Sequence, residues 1–371
     1  MSTPPAIAHS PKFHRDRGGY ADALRDWFAR RLPGADGVTV GDVDIPAATG
    51  FSNETIFFDV EWHDADGAHH ERFVGRIEPP TGALFPMQTP ACAVSVGLQH
   101  RVMGIVAEHG VPMCPLLGYE SDAGVLGEPF FVMAFVEGRV PSDVPRYTVA
   151  GFLVDEATPE ERTRLVRTGL EAMASVHAID WRDAELGWLD ASGVGDPTLA
   201  VQLDLYRRFA TEQLAGRPHP VLFRALDWLD AHDPHDERVG LTWGDARLGN
   251  IIFRDYQPAV VCDWEAAALC PTEADLGWWL MYDRNSFDDQ GAPRMEGFPT
   301  RDEMVRIYEA ASGREVRDPA FWELFGAMRY AAIMIPLADR MTGAGLIPPD
   351  SAMAIDNYVV DAVARLLDDT E

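Results

Sequence analysis

Lysine is all but missing from this chain: among 31 Lys and Arg residues, Lys12 is the only lysine. Cationic contacts in the folded body therefore fall to arginine, whose planar fork differs in geometry from the compact lysine ammonium. Positive charge as a whole is scarce, with a formal net charge of −28 at pH 7. No basic stripe exists to neutralise a nucleic-acid backbone, and docking on an anionic membrane is disfavoured. That acidity could steer a cationic substrate, although acidic surfaces more often serve solubility. Cysteine is rare too. Cys92, Cys114, Cys262 and Cys270 match no zinc or redox spacing and read as buried free thiols. Long apolar runs are also lacking, since no stretch approaches the roughly 20 residues of a membrane span. The N-terminal MSTPPAIAHSPKFHRDRGGY has no signal-peptide core, so the expectation is a cytoplasmic protein without membrane or nucleic-acid partners.

What is present suits a globular enzyme. The 371 residues fit one two-lobed enzyme or two modest domains, and 47% hydrophobic residues can build a sizeable core. Residues 20–32 place Leu24, Trp27, Phe28 and Leu32 on one helical face. Thr55–Trp62 and Glu71–Ile77 read as a hairpin around the turn Asp64-Ala65-Asp66-Gly67. A helix is predicted over 91–109, ended by Gly110 and Pro112, and then strands near Leu116–Glu120 and Pro129–Glu137 around a Ser121–Gly124 turn. From about residue 150 the pattern is helical, notably over 159–179, 302–312, 319–337 and 351–368. Two short strand-like runs interrupt it, Asn250–Phe253 and Ala259–Cys262. The expected fold class is α+β: a sheet-rich lobe over 1–137 and a larger helical lobe over 138–371.

The chemistry concentrates in LTWGDARLGNIIFRDYQPAVVCDWEAAAL. Asp245 sits in a Gly-flanked loop, Asn250 follows five positions on, and Asp263 ends a two-strand ribbon thirteen positions later. Phosphoryl transfer needs a group to position and deprotonate an attacking hydroxyl, and hard oxygen ligands for magnesium. Asp245 suits the first task; Asn250 and Asp263 suit the second. Taken singly, each is as readily a turn, cap or strand-end residue, and only the joint spacing speaks for function.

This segment resembles the catalytic and metal loops of the aminoglycoside phosphotransferase family, which has the protein-kinase-like two-lobed fold. Gly244, Asp245, Gly249, Asn250, Asp263, Trp264, Glu265 and Asp275 match the family pattern, whereas Trp243 stands where the family usually has His. The resemblance covers residues 45 to 340 and implies transfer of a phosphate from ATP, with Mg2+, to a small-molecule hydroxyl. It implies Asp245 as the base and Arg247 as a phosphate contact. Ser52 and Asn53 fall in the phosphate-covering loop, where turn chemistry explains them equally well. Arg76 takes the place of the phosphate-binding lysine, and its usual Glu partner aligns with Gln99. Backbone groups of Ala134 and Val136 would meet adenine. Glu265 fits either the metal shell or a loop cap. His177 reads as a satisfied core histidine, Asp275 as a brace of the catalytic loop, and Trp278 and Trp279 as core, one of them able to line a substrate wall. Family acceptors include aminoglycosides, macrolides, choline-like compounds and hydroxyacyl thioesters, and the run GFPTRDEMVRIYEAASGREV resembles kinase-like domains of acyl-CoA metabolism. The rival reading is a nucleotide-binding pseudokinase serving as a regulatory or scaffold module, motivated by Arg76 and Gln99 in place of an ion pair.

Overall fold

The computed structural model describes residues 18–45, 53–80, 83–191, 197–234 and 238–370. The chain opens with α1 (Tyr20–Arg31), β1 (Asp36–Val40), β2 (Glu54–Asp64), β3 (Gly67–Ile77), α2 (Ser95–Glu108), β4 (Leu116–Glu120), α3 (Ala123–Leu126) and β5 (Phe130–Ala134). The strands form one antiparallel sheet in the order β1-β2-β3-β5-β4. Along β2 the side chains of Phe58, Val60 and Trp62 are buried and those of Asp59, Glu61 and His63 face outward, the period-2 pattern of a half-covered sheet. The covering element is α1. Leu24, Trp27 and Phe28 are fully buried on it, with Trp27 against Phe130 at 5.5 Å and Phe28 against Phe73 at 5.0 Å between ring centroids.

The other side of the sheet carries α2. This helix begins at Ser95, later than the spacing predicts, because residues 90–92 form a separate turn behind the Thr89 cap. Its first amides are satisfied from outside: the Glu78 carboxylate accepts from Ser95 N at 3.1 Å and Val96 N at 2.8 Å. The expected Ser121–Gly124 turn proves to start the short helix α3, capped by Asp122, which accepts from Gly124 N.

The rest is α4 (Phe152–Asp155), α5 (Pro159–His177), α6 (Leu199–Leu214), α7 (Pro220–Ala231), β6 (Val239–Thr242), β7 (Ile251–Arg254), β8 (Gln257–Val261), β9 (Ala268–Pro271), α8 (Glu273–Ser286), α9 (Arg301–Ser312), α10 (Pro319–Gly343) and α11 (Tyr358–Thr370). The expected β7–β8 ribbon is present; a second ribbon, β6 with β9, was hidden in short apolar runs that have no distinctive period. Helix α11 starts at Tyr358, not 351, because Asn357 caps it by accepting from Val359 N and Val360 N. Helices α8 and α10 cross at backbone contact. A Cβ on Gly277 would strike the carbonyl of Trp322, and one on Gly326 would lie 3.0 Å from the backbone of Trp278. That close crossing aims Trp278 and Arg329 at the loop after β6. Among the described residues, no helix is long and apolar enough to cross a membrane.

Candidate active site

The loop between β6 and β7 carries Asp245, and its shape depends on Gly244. That residue has φ of 89°, and a Cβ there would collide with the Ala266 carbonyl. Two loop amides end on one buried carboxylate: Asp275 accepts from Trp243 N at 2.6 Å and Gly244 N at 2.8 Å. The same Asp275 meets His177 Nε2 at 2.9 Å, while His177 Nδ1 lies 2.8 Å from the Tyr308 hydroxyl. Both ring nitrogens are engaged, so His177 is a braced core group and Asp275 a loop brace. Trp243, in place of the family His, donates from its indole to the Cys262 carbonyl at 2.7 Å. The catalytic-type loop and the segment before Asp263 are thereby tied together.

Asp245 is nearly buried, and three side chains hold its carboxylate. Oδ1 accepts from Trp278 Nε1 at 2.8 Å and Arg247 Nε at 3.1 Å, and Oδ2 accepts from Asn250 Nδ2 at 2.6 Å. Burial pushes its carboxyl above the usual carboxylate range. The Arg247 charge and the bonds from Asn250 and Trp278 pull against this, and the Asp263 charge adds to it. Burial opposes the Arg247 cation, but Asp245 and Asp143 outweigh it and keep that guanidinium firmly charged.

Asn250 and Asp263 are drawn together by backbone pairing, since Cys262 N donates to Asn250 O at 2.8 Å. Asn250 gives its amide nitrogen to Asp245, which leaves Oδ1 outside that bond. Asp263, with φ of 56°, accepts from Arg76 Nη2 at 2.5 Å on Oδ1, and Oδ2 accepts no hydrogen bond from the described residues. Among the described residues, no group of three or more His, Cys, Asp or Glu could hold a metal unaided. Two hard oxygens outside these bonds, Asn250 Oδ1 and Asp263 Oδ2, nonetheless fit magnesium, which binds through one or two protein oxygens and takes the rest of its shell from elsewhere.

Arg76 does not meet Gln99, contrary to the expected alignment. Gln99 is buried and donates to Ser95 Oγ at 3.3 Å, a bond within its own helix. The arginine fork instead bridges Thr55 Oγ1 at 3.1 Å and Asp263, because its longer, two-pronged head reaches the metal-type loop directly. Asn53 donates from Nδ2 to Glu265 Oε2 at 3.1 Å, which makes Glu265 a link between the two loops, and Asn53 Oδ1 is buried without a partner among the described residues. Ser52 lies outside the described residues. At the end of β5 the Ala134 amide donates to Pro115 O at 2.9 Å, so only its carbonyl remains for a base. The Val136 backbone enters no hydrogen bond among the described residues. Beside Arg247 a cleft is lined by Asp143, Tyr147, Trp279, Tyr282, Phe298 and Met304.

Three contributors escaped the sequence reading. Asp143 bonds Arg247 at 2.5 Å, Arg329 donates to Gly244 O at 2.8 Å, and Trp278, expected as core, also bonds Asp245. Only Arg329 carried a signal: it is the one cation in the largely apolar stretch FWELFGAMRYAAIMIP.

A small antiparallel sheet lobe and a larger helical lobe, linked here by Arg76 on β3 to Asp263, make up the two-lobed kinase-like fold. The sequence matches the phosphotransferase enzyme family, APH, over residues 45–318, and the chain belongs to that family. That family is one of phosphotransferase enzymes. It is 27% identical over 314 residues to the probable acyl-CoA dehydrogenase IBR3 of Arabidopsis thaliana, covering 78% of this chain and 35% of that protein. The chain thus spans about a third of the length of that relative. A solved structure from Ralstonia eutropha, provisionally named an aminoglycoside phosphotransferase, superposes with TM-score 0.63 at 22% identity, covering 93% of this chain and 94% of that one. A thermostable mutant of the aminoglycoside phosphotransferase APH(4)-Ia, in ternary complex with AMP-PNP and hygromycin B, gives TM-score 0.56 at 14% identity, covering 93% and 98%. At these identities the structural likeness shows the fold.

Proposed function

We propose that this chain transfers the γ-phosphate of ATP to a hydroxyl of a small molecule, with Asp245 as the base. One observation carries the reading. Asp245 is pinned on both oxygens by Trp278, Arg247 and Asn250, so a buried carboxylate is held in one orientation beside two uncommitted oxygen ligands. In this reading Asp245 orients the acceptor hydroxyl and takes its proton as the acceptor oxygen bonds to phosphorus. The bond from phosphorus to the bridging oxygen breaks, and ADP leaves with that electron pair. Asn250 and Asp263 would hold Mg2+, which supplies charge neutralisation on the phosphates. Arg247 and Arg76 would steady the transferring group, and Asn53 with Ser52 would cover it. The Ala134 carbonyl and the Val136 amide would meet the adenine edge.

The acceptor reading is narrower than the family. The two carboxylates at the cleft are already paired with cations: Asp143 with Arg247, and Asp283 with Arg294 and Arg301. Little negative charge is left for a polyamine such as an aminoglycoside, while Tyr147, Trp279, Tyr282 and Phe298 offer apolar contact. A hydroxylated acyl thioester fits this lining, and the relative named as an acyl-CoA dehydrogenase points the same way. The test is phosphate transfer from radiolabelled ATP across hydroxyacyl-CoA thioesters and aminoglycosides. Labelled thioester product, lost by at least about 100-fold in Asp245→Asn, supports the reading. Turnover of aminoglycosides alone would overturn the acceptor, and nucleotide binding without any transfer would favour the pseudokinase.

A further inference from the structure

Two buried polar side chains stand behind Asp245. Trp278 on α8 and Arg329 on α10 are both buried, and neither lines the cleft beside Arg247. The Trp278 indole donates to Asp245 Oδ1 at 2.8 Å. Arg329 lies over the Trp278 ring, 4.8 Å from its centroid, donates to Gly244 O at 2.8 Å, and donates from Nε to the Tyr206 hydroxyl at 2.9 Å. A buried guanidinium is costly to desolvate and is kept only where its donors are used. Here those donors hold the residue before Asp245, and its charged face presses on the ring that holds Asp245 itself.

We propose that Trp278 and Arg329 are positioning residues that set which oxygen of Asp245 faces the acceptor, an inference that rests on Asp245 being the base. A carboxylate oxygen offers two acceptor sites. Oδ1 has both filled, by Trp278 and by Arg247, whereas Oδ2 has one filled, by Asn250. The open site is therefore on Oδ2, on the Asn250 side, next to the oxygens that suit the metal. Without the indole, Oδ1 regains an open site pointing into α8, and the carboxylate can rotate away from the acceptor.

The test uses the full chain and two readouts. In ligand-free protein labelled at tryptophan nitrogen, the Trp278 indole proton resonates downfield and moves upfield in Asp245→Ala. A Trp278 resonance unmoved by that substitution overturns the proposal, whatever the enzyme's acceptor. In phosphate release from Mg·ATP or transfer to an accepted hydroxyl compound, Trp278→Phe lowers kcat by about 10- to 100-fold with KM for ATP within about twofold. Trp228→Phe, a tryptophan on α7 whose ring stacks on His232 at 4.1 Å, leaves kcat unchanged. Equal loss in both variants, or a Trp278→Phe effect on KM alone, overturns positioning. Failure of Asp245→Asn to impair transfer overturns the underlying assignment of the base, and the indole shift reports the hydrogen bond independently of that outcome.

Discussion

Replacing Asp275 with Asn changes one atom type and little volume, yet it should loosen the loop that carries Asp245. The carboxylate is fully buried and accepts from Trp243 N, Gly244 N and His177 Nε2 at 2.6, 2.8 and 2.9 Å. An asparagine supplies one acceptor oxygen and one donor nitrogen, so whichever way it turns, one loop amide faces an NH2. Bonds to a charged group contribute about 1.5–3 kcal/mol against about 0.5–1.5 for neutral ones, and an orphaned buried donor costs about 1–3. Relief from burying a charge offsets part of this, which leaves a net loss of about 3 kcal/mol. With about 2.1 cal/mol/K of unfolding entropy per residue over 371 residues, the melting temperature falls by about 4 °C. Differential scanning calorimetry measures it, and the same variant should lose kcat because Gly244 and Asp245 lose their anchor. A variant that melts within about 1 °C of the parent with kcat intact would show that the loop amides are held by something else.

Further outcomes follow from the same geometry. Gly244→Ala meets both a left-handed backbone, at about 1–2 kcal/mol, and a collision with the Ala266 carbonyl; circular dichroism melting should show a lower midpoint and activity should vanish. Burial raises the Asp245 carboxyl, which in the proposed role of base must be ionised to act. The acid limb of kcat/KM should therefore lie above the ordinary aspartate value of about 3.9, with activity lost as pH falls through it. Removing the opposing cation in Arg247→Met should move that limb further up. Burial lifts the Cys114 thiol to about 11 and raises Cys92, Cys262 and Cys270 as well. At pH 8 Cys114 is thiolate in only about one molecule in a thousand, so native protein should react with a disulfide reagent far more slowly than protein in denaturant.

Much of the fold was legible because periodicity reports burial locally. Leu24, Trp27 and Phe28 recur at helical spacing because one stripe of α1 meets the sheet, and β2 alternates because one of its faces is covered. The starts of α2 and α11 were misplaced for a different reason. Glu78 acts on Ser95 from 17 positions away, and Asn357 claims the first amides of α11, choices that propensity does not record. Gln99 shows the same limit: alignment placed it opposite Arg76, but side-chain length and the reach to Asp263 decided otherwise.

Spacing along the chain determined that Asp245, Asn250 and Asp263 form one chemical unit, because a tight loop and a two-strand ribbon leave few ways to arrange them. Near-absence of lysine likewise left arginine, backbone amides or a metal ion as the groups able to meet a phosphate. The orientation of Asp245 was decided only in three dimensions. It depends on Trp278, 33 positions away, on Arg329, 85 positions from Gly244, and on a helix crossing at Gly277 and Gly326. Hydrogen bonds need atoms within about 3 Å, and a linear pattern carries no information on which distant residues packing will bring that close.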